Sequence, residues 1–261
     1  MDLLLEATHR AEREHFWFKG FRAFIAPALE AVAAGRSDLR LVDCGCGTGV
    51  NLPTLARHGT AFGIDLAWRG LQFAQGQGHR RLARGSVTDL PYADGAFDVV
   101  TSFDVLQCLP PEAGRTVLLE FHRVLVPGGS LVMTVAALEL LRGDHSVLAE
   151  EAHRYGRAEL RAMLEGAGFS VSRLTFTNFT LFPLMLATRS LQRLRGLRPA
   201  AEAHGEITRP PSPVNAVLTG LLRLEAAALR HMNMPVGSSL LVVARKPPAL
   251  PQSPSRSSAT R

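Results

Sequence analysis

Short apolar runs alternate with stretches of helical periodicity along most of the chain. The first five runs begin about 15 to 30 residues apart, the spacing that a strand, a crossover helix and the next parallel strand need. Several runs are apolar on both faces, as buried parallel strands are. Pro127-Gly128-Gly129 predicts a turn before the fifth run. The pattern therefore predicts an α/β protein with seven strands. They are expected at residues 39–44, 60–66, 82–87, 97–103, 130–136, 169–175 and 238–244.

The spacing of these strands divides the chain into a main domain and three additions. Residues 38–246 hold all seven strands, and residues 1–37 precede them as a helical cap with an aromatic-rich helix over residues 14–34. Residues 178–237 form an insertion between the sixth and seventh strands. The composition of residues 247–261 is typical of a disordered tail. Further helices are expected at residues 157–166, 181–195 and 213–231.

The composition is that of a chain that can bury a sizeable core. Of 261 residues, 46% are hydrophobic, which excludes a disordered chain. The three cysteines, Cys44, Cys46 and Cys108, do not suit a disulfide framework or a zinc site, so we expect a reducing, cytoplasmic compartment. The most apolar window, residues 174–188, is shorter than the ~20 residues that span a bilayer. The first residues lack the apolar core of a signal peptide.

The overall charge of +6 hides an uneven distribution. Residues 1–172 carry 17 basic and 20 acidic side chains, whereas residues 173–261 carry 12 basic and 3 acidic side chains. One interpretation is a genomic preference for Arg, since only Lys19 and Lys246 are lysines. The other is a basic C-terminal region that faces an anionic membrane or ligand. The sequence leaves both interpretations open.

The most informative segment follows the first predicted strand, where Asp43 precedes a glycine-rich turn. Glycines let the backbone turn tightly and approach a ligand, and the helix expected after the turn offers free N–H groups. Asp65 ends the second strand 22 residues later, where a carboxylate can bind ribose hydroxyls. These features predict a site for a nucleoside cofactor. The dinucleotide fingerprint G-x-G-x-x-G is not met, because Gly49 comes one residue early and is followed by Val50.

These motifs resemble those of class I S-adenosylmethionine-dependent methyltransferases, and most closely the type-11 domain group. The resemblance covers about residues 38–176 and the last strand. It implies a Rossmann-like, doubly wound, mostly parallel sheet with strand order 3-2-1-4-5-7-6 and an antiparallel seventh strand. It also implies that S-adenosyl-L-methionine binds across the carboxyl ends of the first and fourth strands. The segments that carry the resemblance are residues 43–49, 65, 85–100, 119–129 and 155–169.

The resemblance assigns roles to individual residues. Asp43 would position the glycine loop and the methionine amino group, partly through water. Asp65 would hold the ribose, with Leu66 against the adenine. The family usually has an aspartate at the position of Ser86, so Ser86 would offer the adenine amino group a hydrogen bond without a charge, while the N–H of Val87 is expected to serve a ring nitrogen. The remaining expected cofactor contacts are Gly45, Cys46, Gly47, Gly49 and, near the sulfonium, Phe103.

An aromatic and basic segment lies ahead of the first strand, at residues 14–22. Trp17 and Arg22 in this segment are candidates to cap the cofactor and to pair with its carboxylate. A helix that packs on the sheet through its aromatic face explains the same pattern. The sequence does not decide between these two roles.

No obvious base for the reaction follows the fourth strand. Methyl transfer from a sulfonium is an in-line displacement, and a general base is needed only when the acceptor is a hydroxyl or an acidic carbon. His145, His153 and Tyr155 lie in the loop after the fifth strand, where substrates usually enter, and are the candidate catalytic residues. Solvated histidines are the alternative. Cys108 is expected to pack rather than to react, and the sequence contains no metal-ligand cluster.

The insertion is expected to determine the acceptor. Its apolar start precedes Arg189, Arg193, Arg195 and Arg198. This pattern indicates either a helical lid or an apolar cap for a lipid-like or aromatic acceptor, with peripheral contact to a membrane. Nucleic acid is not expected, because the arginines lack a stacking platform. We predict a methyltransferase that acts on a small molecule, such as a lipid, quinone, sugar-linked or natural-product intermediate. The alternatives are a catalytically silent S-adenosylmethionine-binding scaffold and a nicotinamide-dependent oxidoreductase.

Overall fold

Seven strands form one sheet in the computed structural model, which describes residues 2–197 and 209–248, with side chains from Leu5 onward. The strands are β1 (Leu39–Cys44), β2 (Gly59–Asp65), β3 (Leu82–Arg84), β4 (Phe97–Phe103), β5 (Leu125–Ala136), β6 (Ser170–Thr177) and β7 (Ser239–Arg245). Their order is β3-β2-β1-β4-β5-β7-β6. Strands β1 to β5 pair in parallel, whereas β7 runs antiparallel to both β5 and β6. The predicted sheet and its order are confirmed.

Helices cover both faces of this sheet, because neighbouring strand residues point to opposite sides. In β1, Leu41 packs with Leu29 of the N-terminal cap, whereas Val42 belongs to the larger cluster around Leu118 and Leu160. This arrangement is the doubly wound one. The helices are α1 (Asp2–Ala11), α2 (Phe16–Ala33), α3 (Leu52–Leu55), α4 (Trp68–Gly76), α5 (Ala113–Val124), α6 (Asp144–Leu148), α7 (Arg157–Gly166), α8 (Phe182–Arg195) and α9 (Ser212–Leu229).

Strand β5 begins five residues earlier than predicted and includes the expected turn at Pro127-Gly128-Gly129. The backbone N–H of Gly128 donates to Lys246 O at 3.0 Å, and the N–H of Lys246 donates to Gly129 O at 2.9 Å. The pairing with β7 therefore continues through the glycines. The register with β4 shifts between Phe97 and Val99, so the turn sequence produces a bulge within a strand rather than its start.

One predicted strand is shorter than expected, and the helix after the glycine loop is also short. Strand β3 lies at the sheet edge and ends at Arg84, because Ser86 turns away and its hydroxyl is 2.7 Å from that of Thr88. The helix after the glycine loop, α3, has only four residues and passes into a 3₁₀ turn at Ala56–His58. A helix this short offers little macrodipole, so the loop itself supplies most of the backbone donors there.

The cap and the insertion pack against each other through α2 and α9. The two helices approach closely at Gly20, where a Cβ would lie 2.3 Å from Leu222 Cδ1. Asn215 of α9 also binds the segment that precedes α2: its Oδ1 accepts the N–H of Phe16 at 2.8 Å, and its Nδ2 donates to Glu14 O at 3.0 Å. These contacts join two parts of the chain that are about 200 residues apart in sequence.

A buried carboxylate ties α9 to the start of the insertion. Glu225 accepts the backbone N–H groups of Phe179 and Thr180, both at 2.9 Å, and the hydroxyl of Thr180 at 2.7 Å. Because burial of an unpaired charge is costly, these three donors fix the position of α9 over the sheet.

Some predictions fall on residues beyond those described. Arg198 and the rest of residues 198–208 lie there, as do residues 249–261 of the expected tail. Among the helices that are described, none is long and apolar enough to cross a membrane.

Candidate active site

The glycine loop runs from β1 to α3 and lies against the turn that follows β4. Gly45, Gly47 and Gly49 have φ angles of 84°, 52° and 79°, which side-chain-bearing residues rarely adopt. The N–H of Gly45 donates to Ile64 O at 2.8 Å and so ties the loop to β2. A Cβ at Gly45 would lie 2.2 Å from Val105 Cγ2. The loop is therefore held close to both β2 and the β4 turn.

Asp65, at the end of β2, organises the other side of this loop. Its carboxylate accepts the N–H of Gly47 at 2.7 Å and that of Ala67 at 2.8 Å. Burial raises the pKa of the carboxyl, and hydrogen bonds from the backbone of Ala67, Gly47 and Leu66 oppose that rise. A carboxylate has about four acceptor sites, so capacity remains for ligand hydroxyls. Leu66 is 64% exposed and presents an apolar surface beside them.

Asp43 lies beneath the glycine loop and is almost completely buried. Thr101 of β4 donates its hydroxyl to Asp43 Oδ1 at 2.7 Å. Burial raises the pKa of the Asp43 carboxyl to about 7, the charge of Asp65 adds to the rise, and the bond from Thr101 opposes it. Asp43 is thus poised to become charged when a cation or a donor approaches.

Ser86 and Val87 lie past the end of β3, and the N–H of Gly85 donates to Asp65 O at 3.1 Å, which holds this segment beside β2. Ser86 Oγ also accepts the backbone N–H of Thr88 at 3.1 Å. The hydroxyl therefore offers an uncharged hydrogen-bonding group where the resembled family has a carboxylate. Val87 is buried and contributes to the core.

A cavity of about 490 Å³ extends from the glycine loop to the cap and the insertion. Cys46 and Gly47 line it at the loop, Arg22 at the cap, and Met185 and Leu218 at the insertion. Its walls are mainly apolar. The aromatic lining residues are Phe16, Trp17, Phe18, Phe21 and Phe103. Phe21 meets Phe103 edge-to-face, with ring centroids 5.4 Å apart, so the cap closes directly over the end of β4.

The turn that follows α1 contributes a buried acid, Glu12, to this cavity. Thr48 of the glycine loop donates its hydroxyl to Glu12 Oε2 at 2.5 Å. Glu12 also lies near Arg22: burial lowers the pKa of the guanidinium, and the charge of Glu12 opposes this effect. Arg22 stays cationic at neutral pH because its ordinary pKa is far higher. Trp17 and Arg22 are therefore placed at the cavity, as the cap interpretation expects.

Two buried amide oxygens on the cavity wall have no hydrogen-bond partner among the residues described. They are Asn51 Oδ1, at the N-terminus of α3, and Gln107 Oε1, in the turn after β4. Buried polar atoms in folded proteins are usually satisfied, so each marks a place for a ligand donor or a water. Asn51 adjoins the glycine loop, whereas Gln107 lies on the β4 turn.

Asp104 follows β4 directly and lines the same cavity. Its φ angle is 56°, its N–H donates to Thr134 O at 3.0 Å, and its Oδ1 accepts the Thr134 hydroxyl at 3.0 Å. Asp104 is exposed to solvent at the cavity, yet desolvation by neighbouring protein atoms raises the pKa of its carboxyl to about 6, and the charge of Glu151 adds to this. Hydrogen bonds from Thr134 and Gln107 and the charge of Arg154 oppose the rise. Asp104 thus ionises near neutral pH.

Of the three candidate catalytic residues, only His145 lines the cavity. His153 Nε2 is 2.8 Å from Glu159 Oε1, at the start of α7. Tyr155 is buried in the core, and its hydroxyl donates to Leu106 O at 3.4 Å. The structure does not bring His153 or Tyr155 to the cavity. Each side chain instead has a hydrogen-bond partner away from the cavity, so neither is placed to act on a substrate there.

Cys108 also lines the cavity, but its thiol is poorly suited to react. Burial raises its pKa to about 12, and the charges of Glu151, Asp104 and Glu150 add to the rise. The thiol contacts Ala149 O at 3.3 Å. A neutral thiol is a weak nucleophile. Within residues 2–197 and 209–248, no group of three or more His, Cys, Asp and Glu side chains is placed to hold a metal ion.

The residues that sequence reasoning missed are brought to the cavity by the fold. Glu12 lies in the turn after α1, and Asn51 and Gln107 are neutral amides without a motif. Asp104 had a usable signal, because ligands of open α/β sheets bind at the carboxyl ends of strands and this acid follows β4 directly.

A family described as "Methyltransferase domain", of type 11, matches residues 42–133, which include the end of β1, all of β2 to β4 and most of β5. A demethylmenaquinone methyltransferase of Geobacillus kaustophilus is 30% identical over 166 residues, covering 50% of this chain and 70% of that protein. A demethylmenaquinone methyltransferase of Tropheryma whipplei is 38% identical over 100 residues, covering 36% of this chain but only 40% of that protein.

Solved structures share the fold over most of the chain. An S-adenosylmethionine-dependent methyltransferase of Thermotoga maritima superposes with a TM-score of 0.56 at 18% sequence identity. The superposition covers 92% of this chain and 99% of that one. At this identity the likeness establishes the fold, while the sequence matches carry the family relationship.

Proposed function

Because the chain belongs to the class I S-adenosylmethionine-dependent methyltransferases, in the type-11 domain group, we propose that it transfers a methyl group from S-adenosyl-L-methionine to a small-molecule acceptor. One observation carries the proposal. A single cavity of about 490 Å³ has the glycine loop at one end and an apolar, aromatic chamber at the other. Such a cavity suits a charged donor at the loop and an acceptor in the chamber.

The residues around the glycine loop fit the cofactor. Asp65 would hold the ribose hydroxyls and Leu66 would cover the adenine, which accounts for a leucine that is otherwise 64% exposed. Ser86 and the N–H of Val87 would meet the adenine edge. The remaining cofactor contacts proposed at the loop and the β4 end are Asp43, Gly45, Cys46, Gly47, Gly49 and Phe103.

The methionine end of the cofactor would meet polar groups at the cavity. Its amino group would meet Asn51 Oδ1, a buried acceptor without a partner among the residues described, and Asp43 would act partly through water. Its carboxylate would pair with Arg22, and Trp17 would cap it. When bound, the cofactor supplies a methyl group on a positively charged sulfur. The protein orients that group toward the chamber and excludes water from it.

The acceptor chamber favours an apolar or aromatic small molecule. Its walls come from α2, α8 and α9, and it lies beneath the joined cap and insertion. Two relatives are demethylmenaquinone methyltransferases, and a quinone-like or lipid-like acceptor matches these walls. Sugar-linked and natural-product intermediates remain in the proposed class. His145, at the polar edge of the chamber, is proposed as an acceptor contact.

Mass spectrometry of an extract of the source cells tests this proposal. The extract is incubated with the protein and with methyl-deuterated S-adenosylmethionine. One compound is expected to gain a single labelled methyl group, and an Asp65→Ala variant is expected to yield no labelled product. Binding of the cofactor without any labelled compound would contradict methyl transfer and favour a scaffold role. Binding of NADH in its place would favour an oxidoreductase.

We also propose that α8 contacts a membrane surface. Leu191 and Leu194, three residues apart on one helical face, are 65% and 85% exposed. Arg193 adjoins them, and basic residues predominate in this part of the chain. An apolar stripe beside basic residues is the pattern of helices that lie on anionic bilayers.

The three cysteines are free, which supports the proposed reducing, cytoplasmic compartment.

A further inference from the structure

We propose that Asp104 and Gln107 form the subsite that receives an aromatic hydroxyl of the acceptor, with Asp104 as the general base that takes its proton. This inference rests on the proposed methyl transfer and names the acceptor class as a phenol or naphthol. Both residues lie on the turn after β4, and both line the cavity beyond the glycine loop.

The geometry provides two acceptors for one hydroxyl donor. Gln107 is 4% exposed, and its Oε1 has no hydrogen-bond partner among the residues described. The Asp104 carboxylate receives the Thr134 hydroxyl at 3.0 Å and retains further acceptor sites. A ligand O–H that donates to this pair would remove the cost of leaving Gln107 Oε1 buried and unsatisfied.

The position of the turn places this pair beside the methyl donor site. Val105 follows Asp104 and packs against Gly45 so closely that a Cβ there would lie 2.2 Å from Val105 Cγ2. The backbone of Asp104 is held at a φ of 56° by the bond from its N–H to Thr134 O. A left-handed residue fixed at a strand end is a common device for aiming a functional side chain.

The surroundings of Asp104 select for an aromatic hydroxyl. Four phenylalanines and one tryptophan line the cavity, which suits a flat ring. Asp104, with a carboxyl pKa of about 6, is charged above that pH and available as a base. Phenolic hydroxyls ionise near pH 10, whereas aliphatic hydroxyls resemble water and ionise near pH 16, so a phenol is far easier for this base to activate. An amine acceptor would be held as an unreactive ammonium ion by the same carboxylate.

The proposed step balances without another reactant. The hydroxyl proton passes to the Asp104 carboxylate while an oxygen electron pair forms the new bond to the methyl carbon. The electron pair of the broken carbon–sulfur bond stays on sulfur, which becomes neutral. An aryl methyl ether and S-adenosylhomocysteine result, and Asp104 then returns its proton to water.

Calorimetry on the protein saturated with S-adenosylhomocysteine tests the subsite. The probes are 1-naphthol and 1-methoxynaphthalene. Only 1-naphthol has the hydroxyl hydrogen that the subsite would bind, because a methyl group replaces it in 1-methoxynaphthalene. We expect wild-type protein to bind 1-naphthol at least tenfold more tightly. Asp104→Asn and Gln107→Leu should each reduce this preference, and the double variant should abolish it. Asp94→Asn, an exposed carboxylate elsewhere, is the matched control, and S-adenosylhomocysteine affinity should stay unchanged throughout.

Methyl transfer to 1-naphthol tests the role as a base. The product, 1-methoxynaphthalene, is measured by mass spectrometry, and Asp104→Asn should slow its formation at least 100-fold. Equal binding of the two probes, no binding of either, no product from wild-type protein, or an unchanged rate in Asp104→Asn would each overturn the inference. Failure of wild-type protein to bind S-adenosylhomocysteine would instead contradict the proposed function on which it rests.

Discussion

At the scale of single residues, three acids lie within one residue of the ends of neighbouring strands but have different surroundings. Asp65 is tied by two backbone N–H groups, Asp43 is buried under a single threonine hydroxyl, and Asp104 faces the cavity. Desolvation is the largest cause of the raised pKa in each, although Asp104 is exposed to solvent, and the opposing hydrogen bonds differ. One sheet edge therefore holds carboxyls suited to anchoring a ligand, to responding to a ligand's charge, and to accepting a proton.

The raised pKa of Asp43 predicts a pH-dependent stability. Its carboxyl has an ordinary pKa of 3.8 and a pKa of about 7 in the folded protein. Its contribution to the free energy of unfolding is therefore fully present below about pH 3.8 and is lost as pH rises through 7. Asp43→Asn keeps an acceptor for the Thr101 hydroxyl and removes the loss of stability that comes from ionising the buried carboxyl. We expect the ligand-free variant to be more stable than wild type at pH 8, by up to about 4 kcal/mol, and much less so at pH 5.

Chemical denaturation at the two pH values measures this difference. The exposed Asp94→Asn change serves as the control and should give similar small effects at both. If the stability advantage of Asp43→Asn over wild type were the same at pH 5 and pH 8, Asp43 would not be buried as the structure describes.

Sequence reasoning identified the site residues that carry a backbone signature. Asp43, the glycines and Asp65 follow from a strand, a turn and a spacing, all of which are local. Glu12 and Gln107 could not be found this way. Glu12 accepts a hydrogen bond from Thr48, which is 36 residues away in sequence, and Gln107 is notable only because its amide oxygen is buried without a partner among the residues described. Long-range packing creates their roles.

At the scale of elements, the strands were the most predictable part of the fold. Strands β1 and β4 have the predicted bounds, because most of their residues are buried and each is followed directly by a turn. Strand β5 begins earlier than predicted, because Gly128 and Gly129, which usually break a strand, form backbone hydrogen bonds with Lys246, just beyond β7. The helices α2 and α9 were expected, but their mutual packing was not, since no local pattern reveals which helices meet.

The close approach of α2 and α9 predicts opposite effects for two glycine substitutions. A Cβ at Gly20 would lie 2.3 Å and 2.8 Å from Leu222 Cδ1 and Cβ, whereas a Cβ at Gly220 would meet nothing within 4 Å. Gly20→Ala should therefore destabilise the protein by about 1–3 kcal/mol through overpacking. Gly220→Ala, inside the same pair of helices, should stabilise it by about 0.5–1 kcal/mol through helix propensity.

Thermal unfolding of both variants at neutral pH measures these effects. If Gly20→Ala stabilised the protein as Gly220→Ala does, α2 and α9 would not be packed as described. The position of the cap and the insertion over the acceptor chamber would then be wrong.

At the scale of the whole molecule, the uneven charge distribution is partly neutralised between the two parts of the chain. Three arginines of the basic part pair with acids of the first part. They are Arg195 with Asp144, Arg209 with Glu14, and Arg230 with Glu30. These pairs explain part of the excess of basic residues by contacts within the fold, so the apolar face of α8 is expected to contribute more to membrane contact than charge does.

Vesicle sedimentation tests that contact. With vesicles of phosphatidylglycerol and phosphatidylcholine, a Leu191→Glu/Leu194→Glu double variant should lose most of the wild-type bound fraction, because each buried leucine contributes about 1.5–3 kcal/mol. Leu119→Glu, on the half-exposed face of α5, is the matched control and should bind as wild type does. Equal binding of the double variant would exclude α8 as the contact.

The central claim is that the glycine loop and Asp65 bind S-adenosylmethionine rather than a nicotinamide dinucleotide. Isothermal calorimetry with S-adenosylhomocysteine and with NADH tests it most directly. The wild-type protein should bind S-adenosylhomocysteine and not NADH, and Asp65→Ala should weaken binding at least tenfold, since hydrogen bonds to a charged group contribute about 1.5–3 kcal/mol each. NADH binding without S-adenosylhomocysteine binding, or unchanged affinity in Asp65→Ala, would contradict this assignment.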